Sequence, residues 1–213
     1  MISFNDITLQ ASQQTLLENA NLRVEPGDKV VIRGASGCGK SSLLKAVVGA
    51  FPIAAGTVAV DDLELSAANV GAIRARLAFI GQEPTLGADS VREALLLPFQ
   101  FKAHKNNPPS EDRISATLER LKLPRNILTQ PAKRISGGEK QRVALARALL
   151  LDKTIFLADE VTSALDPESR DAVMDELFAE EITLLSVSHD AAWVGRCDRT
   201  IEILDRNLTE ESR

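Results

Sequence analysis

The sequence predicts an α/β fold, and three features carry that prediction. A glycine-rich run, Gly34-Ala35-Ser36-Gly37-Cys38-Gly39-Lys40-Ser41-Ser42, follows the apolar stretch Val30-Val31-Ile32 and precedes a helical pattern over residues 43 to 48. The order is strand, glycine loop, helix. Two later runs, Ile155-Phe156-Leu157-Ala158 and residues 182 to 187, are mostly apolar and do not alternate, as expected of parallel strands covered on both faces. Between about residues 90 and 150 the pattern turns helical. The expected organisation is one domain over residues 1 to 213. It has an α/β core, β structure at the N-terminal end and a helical insertion over about residues 84 to 150.

Taken in order, residues 2 to 24 read as β structure. Ile7 and Leu9 alternate with polar neighbours, and Ala20, Leu22 and Val24 do so around Asn21 and Arg23. Pro26-Gly27-Asp28 is a turn signal before the strand that feeds the glycine loop. Gly56-Thr57-Val58-Ala59-Val60 reads as a short strand and Asp61-Asp62 as a turn. Arg76-Leu77-Ala78-Phe79-Ile80 reads as another strand, ending at Gly81-Gln82-Glu83-Pro84. Val91, Ala94 and Leu95 define a helix that stops near Pro98. Ile114, Leu118 and Leu121 share a face of the next, which starts near Ser110 and Arg113. Residues 102 to 109 form a polar loop whose basic cluster is read as a solvated surface. Its His104 has no second ligand type close in sequence and is not assigned to a metal. A long helix follows Ser136, running through Arg142, Leu145, Ala148 and Leu149, and residues 168 to 179 are helical again. Thr200-Ile201-Glu202-Ile203-Leu204 is expected as the final strand, with residues 210 to 213 as a charged tail.

Bulk properties narrow the class. Hydrophobic content of 44% and charged content of 26% belong to an ordinary globular chain, not a disordered or fibrous one. A net charge of −5 argues against nucleic acid or an anionic membrane as a non-specific partner. No basic-then-apolar leader opens the sequence, and no apolar stretch approaches the ~20 residues of a membrane helix. Cys38 and Cys197 are isolated, which reads as a reducing cytoplasm, with Cys38 a small loop filler.

The glycine run is a complete match to G-x-x-x-x-G-K-[ST] in its confirming context. Glycines 34, 37 and 39 permit close backbone approach, so successive N–H groups and the following helix start can cradle phosphate oxygens. Lys40 can reach the β- and γ-phosphates, and the Ser41 hydroxyl can coordinate Mg²⁺. The apolar run at 155 to 158 ends in Asp159-Glu160. The first carboxylate can hold the phosphate-bound Mg²⁺ and the second can orient or deprotonate a water. Ile135-Ser136-Gly137-Gly138-Glu139-Lys140-Gln141-Arg142 adds a second anion-binding helix start, with Ser136 as cap and Gly137 and Gly138 leaving N–H groups exposed. Two phosphate cradles in one small domain make sense if the second serves a nucleotide held by another copy.

This order of motifs resembles the ATP-binding subunits of ABC transporters over nearly the whole chain. Gly34 through Ser42 resembles the Walker A loop and Phe156 through Glu160 the Walker B strand. Gln82 resembles the Q-loop glutamine, Ile135 through Gln141, with Ser136, Gly137 and Gly138 in it, the signature, Asp166 in Ser163-Ala164-Leu165-Asp166 the D-loop, and His189 the switch histidine. Glu139 stands where glutamine is commonest in the family. The resemblance implies a P-loop NTPase core of ABC ATPase type, with an N-terminal antiparallel β subdomain and an inserted α-helical subdomain. It implies ATP and Mg²⁺, with Ser41, Gln82 and Asp159 around the metal. Glu160, His189 and Lys40 would be catalytic. A homodimer would sandwich two ATP molecules, each between the Walker A loop of one subunit and the signature of the other. The membrane permease would be a separate polypeptide, holding this chain on the inner face of the cell membrane.

One family station is missing. The aromatic that usually stacks on adenine would fall near Leu9-Gln10-Ala11-Ser12; the chain has no tyrosine, and Phe4 reads as core. Within the family, residues 83 to 91, Leu97-Pro98-Phe99-Gln100, Leu123-Pro124 and Asn126-Ile127-Leu128-Thr129 resemble bacterial FetA-type ATP-binding subunits assigned to iron export, which pair with a FetB-type permease. Amino-acid and lipoprotein-releasing transporters stand as alternatives. So does a nucleotide-binding regulatory subunit with little hydrolysis, supported by the missing aromatic alone.

Overall fold

Strand β3 (Lys29–Gly34) lies inside a six-stranded sheet and leads straight into the glycine loop. The computed structural model describes residues 1 to 211. The sheet order is β10-β9-β3-β8-β7-β6, with β6 (Leu77–Ile80), β7 (Ile155–Asp159), β8 (Thr183–Val187), β9 (Arg199–Leu204) and β10 (Asn207–Glu210). All neighbours are parallel except the edge pair β10 and β9. Every residue of β7 and β8 is buried, as the unbroken apolar runs require of strands sandwiched on both faces. A second sheet is antiparallel, ordered β2-β1-β4-β5, from β1 (Ile2–Ala11), β2 (Gln14–Val24), β4 (Ile53–Val60) and β5 (Leu63–Glu64).

The two faces of the parallel sheet feed two separate cores. Val30, Ile32, Ile155, Leu157, Leu185 and Val187 join Leu43, Leu44 and Val47 of helix α1 (Lys40–Val47) and the inner face of the antiparallel sheet. Their alternate neighbours Val31, Phe156, Ala158 and Leu184 pack into the helical layer. That layer holds α3 (Val91–Leu96), α4 (Glu111–Arg120), α5 (Gly137–Leu149) and α6 (Pro167–Leu177). The period-two alternation of each strand places α1 and α5 on opposite faces of one sheet.

The differences from expectation have local causes. Strand β4 begins at Ile53, not at the expected Gly56. Gly56 (φ +81) sits inside the strand at a register shift between β1 and β4, where a Cβ would lie 2.3 Å from the Asp6 carbonyl oxygen; the glycine marks a bulge, not a strand end. Arg76 closes helix α2 (Val70–Arg76), and the strand starts at Leu77. Helix α2 and helix α7 (Ala191–Arg196) were not predicted, because each buries a single side chain, Ile73 and Trp193, and so carries no periodic stripe. Residues 200 to 204 do not form the last strand. Leu208 of β10 pairs with Ile203 of β9, and Glu210, expected in a charged tail, is held by a two-pronged Arg199 contact at 2.8 and 3.0 Å. The remainder of that tail at residues 212 and 213 lies outside the described residues. Phe4 is core, 1% exposed, as expected.

Phe156, on the helical face of β7, is 1% exposed. Phe156→Ala is expected to lower the unfolding free energy by about 3–5 kcal/mol in a urea titration; a loss below about 1 kcal/mol would contradict the two-faced packing of β7.

Candidate nucleotide site

The glycine loop is built by close approach as much as by flexibility. Gly34 leaves β3 with φ +140, and a Cβ there would meet the Ile203 carbonyl oxygen and Cys38 Sγ, each at 3.0 Å. Gly39 (φ +112) caps α1 without a side-chain hydrogen bond, and Leu16 of β2 stands 3.0 Å from its would-be Cβ. The first N–H groups of α1 therefore have no side-chain cap competing for them. Gly37, with φ +78, is exposed at the crest of the loop and has nothing within 4 Å of its would-be Cβ. Lys40 is 7% exposed; its ammonium arches back and donates to the Gly34 and Ala35 carbonyls at 2.9 Å each.

Two side-chain contacts join this loop to residues far away in sequence. Ser41 Oγ donates to Asp159 Oδ1 at 3.0 Å, with Asp159 buried at the tip of β7. A hydroxyl and a carboxylate oxygen side by side, next to a phosphate cradle, fit the hard oxygen donors that Mg²⁺ takes. Gln82, after β6, donates through Nε2 to Glu160 Oε2 at 3.0 Å. His189 Nε2 lies 3.8 Å from Glu160 Oε1. Glu160 has φ +48, left-handed backbone held by its N–H bond to the Val187 carbonyl and by Ser163, whose N–H and hydroxyl both donate to its carbonyl. A non-glycine residue pinned in this conformation is strain of the kind that fixes a side chain's direction. The structure thus gathers Lys40, Ser41, Asp159, Gln82, Glu160 and His189.

Ser136, Gly137 and Gly138 belong elsewhere. They start α5, on the sheet face opposite α1. Ser136 and Glu139 form a reciprocal capping box, with Ser136 N–H donating to Glu139 Oε2 at 2.7 Å and Glu139 N–H to Ser136 Oγ at 3.2 Å. Gly137 faces open space, whereas a Cβ on Gly138 would come 3.1 Å from the Ala164 carbonyl oxygen. Asp166 caps α6, and its carboxylate takes the Ser169 N–H at 3.0 Å and the Ser169 hydroxyl at 2.7 Å. Those bonds hold its pKa below the usual aspartate range. In this chain both its oxygens are engaged by Ser169, and the residue that meets the start of α5 is Ala164. The predicted adenine neighbourhood shows Leu9 buried, Ala11 half-buried, and Gln10 and Ser12 exposed at the β1–β2 turn.

Sequence reasoning missed two residues that hold Gln82 in place. Gln141 Nε2 reaches the Gly81 carbonyl at 3.4 Å, and Arg147 donates to the Leu86 and Thr85 carbonyls at 3.0 and 3.4 Å. Both lie on α5, so the segment around Gln82 is tied at each end to the helix that begins with Ser136. Burial lowers the Arg147 pKa. The available signal was a cation and an amide set among the alanines and leucines of α5.

The sheet order, the phosphate cradle and the Ser41–Asp159 and Gln82–Glu160 contacts define a P-loop nucleotide hydrolase. The family model for ABC transporters matches residues 17 to 163, and the chain belongs to that family. It is 32% identical over 207 residues to the probable iron export ATP-binding protein FetA of Escherichia coli K12, covering 95% of this chain and 91% of that protein. It is 36% identical over 225 residues to the ABC-type transporter MDR1 of Aureobasidium melanogenum, covering 99% of this chain and 16% of that one. The chain spans about a sixth of the length of such fungal multidrug relatives and nearly all of FetA. Among solved structures, the ATP-binding cassette MJ0796, dimeric and bound to ADP and Pi after hydrolysis, superposes with a TM-score of 0.87 at 27% identity, covering 100% and 98% of the two chains. The fold is the ABC ATPase cassette with its antiparallel β and helical parts, and the chain is an ATP-hydrolysing domain of that class.

The capping box makes a pH prediction. Hydrogen bonds from the Ser136 N–H and hydroxyl hold the Glu139 carboxyl below the usual glutamate range. The box therefore stabilises above the unfolded glutamate pKa and is lost as pH falls through the lowered folded value. Glu139→Gln keeps an acceptor oxygen for the Ser136 N–H. The variant should unfold within about 1 kcal/mol of wild type at pH 7 and lose less stability between pH 6 and pH 3 in thermal melts; an unchanged acid slope would contradict the box.

Proposed function

We propose that this chain is the ATP-binding and ATP-hydrolysing subunit of an ABC transporter, working as a two-fold dimer that drives a separate membrane permease. The observation that carries the reading is the convergence of Gln82, Glu160 and His189 beside the Ser41–Asp159 pair, while Ser136 to Gly138 start a helix on the other face of the sheet. A site divided in this way needs a second copy to supply its signature half. The dimeric cassette that the fold resembles supports the same assembly.

The geometry supports the following division of roles. The backbone of Gly34, Ala35, Ser36, Gly37, Cys38, Gly39 and Ser42 would cradle the β- and γ-phosphates, with the start of α1 aimed at them. Lys40 would exchange the Gly34 and Ala35 carbonyls for phosphate oxygens. Ser41, Asp159 and Gln82 would hold Mg²⁺, which when bound neutralises charge on the phosphate oxygens. Glu160, aimed by its left-handed backbone, would accept the proton of the attacking water at a carboxylate oxygen. His189 would donate to the γ-phosphate, and Gly137 and Gly138 would present N–H groups to the partner's nucleotide. Asp166 would act by capping α6 and shaping the turn at Ala164.

The near full-length likeness to FetA supports iron export as the transport reaction, with a FetB-type permease as partner on the inner face of the cell membrane. Among the described residues no His, Cys, Asp and Glu cluster could hold a metal ion, and no helix is long and apolar enough to cross a membrane. In this reading the cargo is handled by the permease. Deleting the gene should raise cellular iron and peroxide sensitivity; no change in either would count against iron as cargo.

Replacing Glu160 by Gln should cut phosphate release by about 10²–10⁴-fold and let ATP shift the protein to dimer mass in gel filtration. Equal background release by wild type and variant would sink the hydrolysis reading. Aromatic stacking on a base is worth about 1–3 kcal/mol elsewhere. With Ala11 at the hairpin, Ala11→Tyr should therefore tighten ATP binding by at least about fivefold, and unchanged affinity would point to another adenine contact.

A further inference from the structure

His189 is exposed, and its imidazole approaches Glu160 only to 3.8 Å. The ring therefore owes its place to the loop that carries it. That loop leaves the sheet after Val187, the last residue of β8, and enters α7 at Ala191. The parallel ladder fixes β8 as far as Val187, which pairs with Ile32 of β3. Beyond it, α7 has six residues and buries one of them, Trp193. Just past α7, Cys197 is buried and Asp198 exchanges hydrogen bonds with Lys29 of β3; within α7 itself, Trp193 is the side chain that anchors the loop.

Trp193 does more than fill space. Its indole Nε1–H donates to Ser186 Oγ at 2.9 Å, and the Ser186 hydroxyl donates onward to the Val30 carbonyl of β3 at 3.1 Å. Trp193 is 1% exposed and Ser186 is fully buried. The direction is forced: an indole only donates, a carbonyl only accepts, and a hydroxyl does both. An indole N–H left without an acceptor at this depth would be costly. Phe178 packs against Trp193 edge-on, with a centroid distance of 5.1 Å and an interplanar angle of 78°. Contacts outside the relay trim the same loop. Asp190 N–H donates to Ser188 Oγ at 3.1 Å, the Asp190 carboxylate caps Ala192 N–H at 2.8 Å, and Arg170 stands 3.7 Å from Asp190.

We propose that Trp193 and Ser186 are positioning residues for His189, their buried hydrogen-bond relay tying the histidine loop to β3, the strand that opens into the phosphate loop. Residues 187 to 192 are closed into a short excursion whose ends are both referenced to β3. The histidine and the phosphate cradle are then registered on one strand. This inference rests on the role given to His189 in the proposed function.

The chain has two histidines, His104 and His189, so imidazole NMR signals can be followed one residue at a time. Trp193→Phe keeps an aromatic ring and removes the N–H; Ser186→Ala removes the middle of the relay. Both variants should shift and broaden the His189 signals and leave those of His104 in place. Each should lower kcat for ATP by about tenfold with KM changed less than about twofold. In a His189→Ala background, Trp193→Phe should cost nothing further, whereas general destabilisation would cost the same in both backgrounds. Rates are taken per nucleotide-binding site, so that any unfolded fraction does not count as lost turnover. Unmoved His189 signals would overturn the relay. Moved signals with undiminished kcat would overturn its link to catalysis. Wild-type turnover by His189→Ala would instead overturn the role of His189 itself, and the catalytic half of this inference with it.

Discussion

Strand β7 has no side that faces water, and the chemistry of the chain depends on that confinement. Phe156 and Ala158 are buried in the helical layer, and Ile155 and Leu157 against α1 and the antiparallel sheet. A strand held on both faces has no freedom to slide or roll. The two carboxylates at its end therefore emerge at set positions, Asp159 against Ser41 and Glu160 against Gln82. The same packing buries Asp159, and the Ser41 hydroxyl supplies a donor that offsets part of the cost of taking a carboxyl group out of water.

A second consequence of the two-faced sheet is the separation of the two glycine-marked helix starts, those of α1 and α5. Alternation along β3, β7 and β8 sends α1 to one face and α5 to the other. The helix dipole and free N–H groups that suit a helix start to phosphate are then offered at two places. Within the chain they are coupled indirectly: α5 holds the backbone on both sides of Gln82 through Gln141 and Arg147, and Gly138 lies against Ala164. A shift of α5 on the sheet would carry Gln82 and the turn at Ala164 with it.

Much of this architecture was legible in residue order. The glycine loop, the buried runs ending at Asp159 and Val187, the Ser136 cap and the long α5 helix all stand where the pattern placed them, because each combines a strong local signal with a period that the tertiary structure did not override. The misreadings fall where local signal is weak. Helices α2 and α7 each bury one side chain, too few to make a stripe. Gly56 looked like a strand boundary because a bulge glycine and a turn glycine are the same residue in sequence. Strand β10 is short and mostly polar, with only Leu208 apolar among its residues, so its antiparallel pairing with β9 leaves no alternating apolar pattern to read.

The sequence by itself determined which chemical groups this protein has and the order in which they come: a glycine loop of the phosphate-binding pattern, a hydroxyl and a carboxylate of the kind that Mg²⁺ takes, a glutamate and a histidine suited to proton and phosphate chemistry, and a second glycine-marked helix start. Local rules suffice for these, since a strand–glycine–helix junction or an apolar run ending in carboxylates is specified within about ten residues. Only the tertiary structure decided which groups meet. Ser41 and Asp159 are 118 positions apart, and Gln82 and Glu160 are 78 apart. No local pattern encodes that they share hydrogen bonds, nor that Ser136 starts a helix on the opposite face, nor that Trp193 reaches back to Ser186. The physical reason is that strand order in a parallel sheet follows the burial of whole faces, a property of the packed chain and not of any segment within it.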